Sequence, residues 1–188
     1  DSLHLNIKLS DKTAYNQLDL NGLVEFNSTG SSKTKLTLLP SEVVINQEVW
    51  KIYEKVAFNF DQNKIAVKDF GLTRNEQIIS VNGIISSDPK DELIIGFNKF
   101  QLTTLNPLTK AKGFYSTGEL NGKAVLYNLK NKPKVRADIH IDSLTCNRIY
   151  IGDLDLETGV DQGTNLATIK GYINKHGIKT AQVNGQYA

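Results

Sequence analysis

Almost from end to end, hydrophobic residues in this chain recur at every second position. Leu3, Leu5, Ile7 and Leu9 alternate with His4, Asn6 and Lys8. Val135, Ala137, Ile139 and Ile141 alternate with Arg136, Asp138 and His140. Strand side chains point to opposite faces in turn, so each such segment has one apolar and one polar face. A chain built of these segments makes a sheet with one greasy side and one wet side. What covers the greasy side decides what the molecule does.

The alternation and the punctuating Asn, Asp, Gly, Ser and Lys residues predict strands near 3–9, 18–27, 34–39, 42–46, 55–60, 64–73, 77–86, 92–104, 113–127, 134–143, 148–157, 166–174 and 178–187. One short helix is expected from Thr104 to Ala111, where Pro107 is tolerated in a first turn. Pro89 in Ser87-Asp88-Pro89-Lys90-Asp91 suits the second position of a type I turn. Asn128 to Pro133 joins two more strands. Asp161-Gln162-Gly163 and Lys175-His176-Gly177 supply the positive-φ residue that a hairpin needs. Such short connections favour sequential antiparallel neighbours. The fold class is all-β.

Glycine recurs inside the strands, at Asn21-Gly22, Asn82-Gly83, Asn121-Gly122, Lys170-Gly171 and Asn184-Gly185. Interior strand glycine marks a bend, a bulge or a close approach. Two readings stay open at this point: bulges within a packed sandwich, or a sheet that folds over along a line of bends.

The length of 188 residues is enough for one domain with a core. With 22 basic and 20 acidic residues the formal net charge is +2, so no nucleic-acid footprint is indicated. Cys146 is the only cysteine, which excludes an intrachain disulfide. There is no Met, and the chain starts inside a strand pattern at Asp1-Ser2-Leu3, so it is expected to be a piece of a longer protein. No apolar run approaches the roughly 20 residues of a membrane-spanning helix.

Candidate chemistry is sparse. Asp138, His140 and Asp142 share a strand face and could ligate a metal, but they are also the polar half of an alternating strand. Asp153, Asp155 and Glu157 invite a calcium reading. Thr158 and Thr164 stand where the EF-hand loop requires Gly and Glu, so that pattern fails. A lone Cys146 beside Thr145 and Asn147 reads as inert, and no P-loop, nucleophile elbow or dinucleotide fingerprint is present. Trp50, Tyr53, Phe58 and Phe60 could form a carbohydrate platform, but Phe58 and Phe60 share a face, which favours core or groove lining. Trp50 lacks the Gly-x-Trp setting of a lipocalin-like carrier. The expectation is a non-enzymatic protein without metal or cofactor.

An ordered series of motifs carries a resemblance. It runs Ile65-Ala66-Val67-Lys68-Asp69-Phe70-Gly71-Leu72, Gln77-Ile78-Ile79-Ser80-Val81-Asn82-Gly83 and Asp88-Pro89-Lys90-Asp91-Glu92-Leu93. It continues through Phe97-Asn98-Lys99-Phe100-Gln101-Leu102, Leu105-Asn106-Pro107-Leu108, Gly118-Glu119-Leu120-Asn121-Gly122 and Ile149-Tyr150-Ile151-Gly152-Asp153-Leu154. From Ile65 to Tyr187 the chain resembles the C-terminal region of the translocation and assembly module (TamB) family, related to AsmA-like proteins, in its Bacteroidetes-type version. The resemblance implies a curled, mostly antiparallel sheet forming an open U-shaped apolar groove, a β-taco. Residues 1–188 would be a single segment of it. The parent would be anchored in the inner membrane and cross the periplasm toward a TamA-like outer-membrane barrel. It would carry phospholipids between the membranes, assist outer-membrane protein assembly, or both.

Such a groove has simple physics. An acyl chain gains about 0.8 kcal/mol per methylene removed from water, and a charge in its path costs several kcal/mol. The lining is therefore expected from the apolar phases: Phe58, Phe60, Ile65, Val67, Ile79, Val81, Leu93, Ile95 and Phe97 in the first part of the chain. Leu120, Leu126, Val135, Ile139, Ile141, Ile149 and Ile151 follow in the second. The expected partners are phospholipid acyl chains and, through the parent, the barrel; raw sheet edges are expected to self-associate. The rival expectation is a closed β-sandwich or β-solenoid adhesion module with no ligand.

Overall fold

A computed structural model describes residues 2–12, 15–26, 33–131, 133–160 and 166–187. It is all-β, as expected: among the described residues, fourteen strands lie in one antiparallel sheet. The one helical segment among the described residues is Leu102–Lys112, a single α-turn (Asn106–Thr109) flanked by tighter 3₁₀ turns. The expected strand 92–104 therefore ends at Gln101, and the next begins at Ser116 rather than 113. Residues group into two compact units, 1–95 with 126–134, and 96–125 with 135–188.

The first unit contains β1 (Ser2–Ser10), β2 (Gln17–Phe26), β3 (Lys33–Leu38), β4 (Ser41–Ile45), β5 (Glu48–Ile52), β6 (Val56–Asp61), β7 (Lys64–Arg74), β8 (Gln77–Ile85) and the start of β9 (Glu92–Gln101). β2 pairs β4 through residues 17–19 and β3 through residues 22–26, while β3 pairs β6 and β4 pairs β5. Thus β3 and β4 are two halves of one bent strand, as are β5 and β6, and the unit is an up-and-down meander. The first bend is at Pro40, which has no N–H to give the ladder. Its neighbours cover the gap: Leu39 N donates to the Asn21 carbonyl at 2.8 Å, Asn21 N donates to Ser41 Oγ at 3.0 Å, and Ser41 Oγ donates to the Leu39 carbonyl at 2.7 Å.

β5 was not expected from the sequence. The turn before it, Asn46-Gln47, has both residues at positive φ (53° and 65°) without a glycine, so the usual hairpin signal is missing. The turn at Lys175-His176-Gly177 does follow its signal, with His176 at φ 52° and Gly177 at 76°. Around Pro89, Asp91 N donates to the Asp88 carbonyl at 3.1 Å, closing the expected turn. Asp161-Gln162-Gly163 lies outside the described residues.

The second unit holds the rest of β9, the helical insert, most of β10 (Ser116–Tyr127), β11 (Lys134–Cys146), β12 (Ile149–Val160), β13 (Ala167–Lys175) and β14 (Ile178–Tyr187). β11 pairs β12, β12 pairs β13 and β13 pairs β14, all antiparallel.

One kind of bulge recurs through the sheet. Asp69, Lys99 and Ser143 adopt left-handed φ of 57°, 51° and 52° in the middle of strands. Each backbone N–H is taken by a side chain of a neighbouring strand: Asp69 N donates to Asn82 Oδ1 at 3.3 Å, Lys99 N to Asn121 Oδ1 at 2.8 Å and Ser143 N to Asp153 Oδ1 at 2.9 Å. Beside each acceptor stands a glycine at φ near +127°: Gly83, Gly122 and Gly152. A Cβ at Gly83 would overlap the Glu92 carbonyl, and one at Gly122 the Asp138 carbonyl. Two of the recurrent Asn-Gly pairs are thus bulge receivers. Gly22, Gly171 and Gly185 keep extended backbone.

Candidate functional site

Directly paired residues share a sheet face, so register assigns the faces. In the first unit Leu5 opposes Gly22, which opposes Leu38; Leu38 opposes Val56. Leu36 opposes Phe58, which opposes Val67, which opposes Gly83. Phe60 opposes Ile65, Phe70 opposes Val81 and Leu72 opposes Ile79. The expected residues Phe58, Phe60, Ile65, Val67, Ile79 and Val81 therefore lie on one face. Among the described residues of these ladders, the charges on it are Glu48 and Arg74, which lie beside turns and pair with each other at 2.8 Å.

In the second unit Ile139 opposes Leu156, which opposes Gly171, and Gly171 opposes Val183; Ile141 opposes Leu154, which opposes Ile173. Ile149 opposes Cys146, and Ile151 is the extra residue of a bulge between Tyr150 and Gly152. That bulge restores the phase, so Ile149 shares the face of Leu144. The paired set from Ala137 to Ile141, Leu154 to Val160, Ala167 to Ile173 and Ala181 to Gly185 carries no charge on this side. Asp138, His140, Asp155, Glu157 and Lys170 occupy the other side.

The apolar faces are unevenly covered. Leu38, Ile52 and Val56 form a packed cluster backed by Phe58, Phe70 and Leu72, and Trp50 is wholly buried. Val67, Leu93 and Ile141 are also buried. Ile65, Ile79, Val81, Ile95, Phe97, Leu120, Leu126, Ile139 and Ile151 are half-buried. Leu9 and Val183 are each 62% exposed, and Phe26, Phe60, Val135 and Ile149 are exposed too.

Several members of these faces escape simple alternation. A bulge residue shifts the phase, so Val67 and Phe70, Phe97 and Phe100, and Ile141 and Leu144 stand three apart. The rings of Phe97 and Phe100 lie 5.8 Å from centroid to centroid. Phe100, Leu102 and Val125 are all buried and were not expected. The signal that could have revealed Phe70, Phe100 and Leu144 is an apolar pair with two intervening residues, facing Asn-Gly or Gly-Asp.

On the wet side of the second unit, His140 Nδ1 lies 2.7 Å from Asp155 Oδ1 and Nε2 lies 3.1 Å from Asp142 Oδ1. Asp155, and less strongly Asp142, raise the imidazole pKa. Both ring nitrogens donate when it is protonated. The stabilisation is present in full below the ordinary histidine range and is lost as pH rises through the elevated value. With the side chain 41% exposed, solvent screening limits it, and His140→Gln is expected to cost about 0.5 kcal/mol at pH 5. Urea melts of both proteins should converge above neutral pH; a gap that widens with pH would contradict the pairing.

No protein-family model, curated protein or solved structure matches the chain.

Proposed function

We propose that the chain is an apolar-lined segment of a TamB-like envelope protein that holds phospholipid acyl chains along one face of its sheet. The observation that carries this reading is the charge-free paired set of β11 to β14, most of it left half-buried or exposed rather than packed like a core. The motif series from Ile65 to Tyr187 supports the family, and with it an inner-membrane anchor, a periplasmic location, a TamA-like partner and a role in lipid traffic or outer-membrane protein assembly. Lipid is held by area rather than by specific groups, so the occupant slides. Trp50, wholly buried in the first unit, lies outside this paired set.

The test is mass spectrometry of the native protein purified without detergent from envelope extracts. Bound phospholipid of mixed headgroups is expected. Protein free of lipid, with an apolar fluorescent probe excluded from it, would favour the closed sandwich or solenoid module instead.

The sheet edges belong to the same proposal. Lys8 is the one Lys, Arg, Asp or Glu in β1, and Lys179 the one in β14, and neither strand contains Pro. Edges so lightly guarded pair with further strands. Sedimentation velocity should show association that grows with concentration, and Val183→Lys should reduce it. A strict monomer at all concentrations counts against open edges.

A further inference from the structure

Three connections gather at one end of the second unit. The up-and-down order brings the β9–β10 insert, the β11–β12 turn and the β13–β14 turn to the same end of the strands. They are bonded to one another there. Tyr115 N donates to Asn147 Oδ1, and Asn147 N donates to the Tyr115 carbonyl, both at 2.9 Å. The Tyr150 and His176 rings lie 5.9 Å apart, and Lys175 Nζ donates to the Tyr150 carbonyl at 3.2 Å. The insert is held from within as well: Asn106 bonds both the N–H and the carbonyl of Ser116, and Thr109 Oγ1 donates to the Phe114 carbonyl at 2.7 Å.

This end differs in composition from the strands beneath it. Each connection presents a bare aliphatic side chain: Leu108 is 77% exposed, Ile149 66% and Ile178 67%. Phe114 and Tyr115 are exposed between them. Residues 102–118, 143–152 and 171–182 contain five basic residues, Lys110, Lys112, Arg148, Lys175 and Lys179, and no acidic one. Large apolar groups collected at one end of a molecule mark an interaction site. A soluble acidic partner would account for the lysines alone. Three separate tips that each offer an aliphatic group suit a fluid acyl phase, which accepts such groups at any spacing. Aromatic rings sit at the headgroup level and Lys or Arg reach the phosphates.

We propose that this end of the second unit is a membrane-docking surface selective for bilayers that carry anionic phospholipid. Leu108, Ile149 and Ile178 enter the outermost acyl region, and the five basic side chains meet the headgroups. This does not depend on the acyl-chain reading of the sheet face: a protein can bind vesicles without extracting lipid, and the reverse.

The test is co-flotation of the whole chain with large unilamellar vesicles, either phosphatidylcholine alone or with about one third phosphatidylglycerol. Binding is expected only to the anionic vesicles and to weaken with salt. Lys110→Ser with Lys112→Ser should weaken it roughly 25-fold, at about fivefold per charge. Leu108→Asp should weaken it about tenfold or more with no change in melting temperature. Lys68→Ser with Lys123→Ser, exposed within strands, should leave it unchanged. Equal binding to both vesicle types, binding that survives Leu108→Asp, or salt-sensitive binding to polyglutamate without binding to vesicles would each overturn the proposal.

Discussion

Gly83→Ala is expected to destabilise the chain by about 3 kcal/mol, the sum of an unfavourable positive φ and a backbone overlap. Gly83 holds φ at +125°, and its missing Cβ leaves the space that the Glu92 carbonyl occupies. That carbonyl belongs to a strand and cannot swing aside as a side chain would. Gly122 stands in the same relation to Asp138, so Gly122→Ala should behave alike. Gly71 is the control: it lies in β7, has no positive φ, and has nothing within 4 Å of an added Cβ. Gly71→Ala should change stability by no more than about 0.5 kcal/mol. In thermal melts the two bulge-receiving positions should each lower the midpoint by roughly 10 °C. Equal melting of Gly83→Ala and Gly71→Ala would mean that the bulges are not fixed features of the fold.

Ile139→Asp is expected to abolish lipid occupancy while leaving the chain folded. Ile139 is half-buried and opposes Leu156 on the charge-free face. Since it is not sealed in a core, its carboxylate keeps access to water and the folding cost should be about 1 kcal/mol, whereas an acyl chain lying against it loses several. Bound phospholipid should therefore fall about a hundredfold. Leu156→Lys, directly across the ladder from Ile139, should act in the same direction. Arg136→Asp, exposed on the wet phase of the same strand, should leave occupancy unchanged. If Ile139→Asp unfolds the chain outright, the position is packed core and the sandwich or solenoid reading wins.

Alternation in the sequence was enough to reveal most strands, because a period of two needs only local contrast between neighbours. It grouped Ile65 with Val67 and Ile139 with Ile141, and the ladder register keeps each pair on one face. It failed where the backbone leaves the strand regime. β5 was hidden because Asn46 and Gln47 turn the chain through left-handed conformations that side chains rarely adopt, without the glycine that usually announces them. Phe70, Phe100 and Leu144 were hidden because one left-handed residue before each reverses the phase. The Asn-Gly pairs were visible, but their meaning depends on which residue lies across the ladder, and register is a long-range property. Asn82-Gly83 and Asn121-Gly122 receive bulges, whereas Asn21-Gly22 and Asn184-Gly185, alike in sequence, do not. The packing of Leu38 with Ile52 and Val56 likewise depends on two strands bending together at Pro40 and at residues 53–55.

On the proposed function, acyl chains lie on the apolar face and nowhere else on the sheet. A benzophenone amino acid placed at Leu156 or Ile169 projects from that face, and one placed at Glu157 or Lys170 from the other, one residue along the same strands. Illumination of the protein in cells fed radiolabelled phospholipid precursor reads the contact directly. Labelled adducts are predicted at Leu156 and Ile169, with none at Glu157 and Lys170. Equal labelling at all four positions, or none at Leu156 and Ile169 in folded protein, would contradict it.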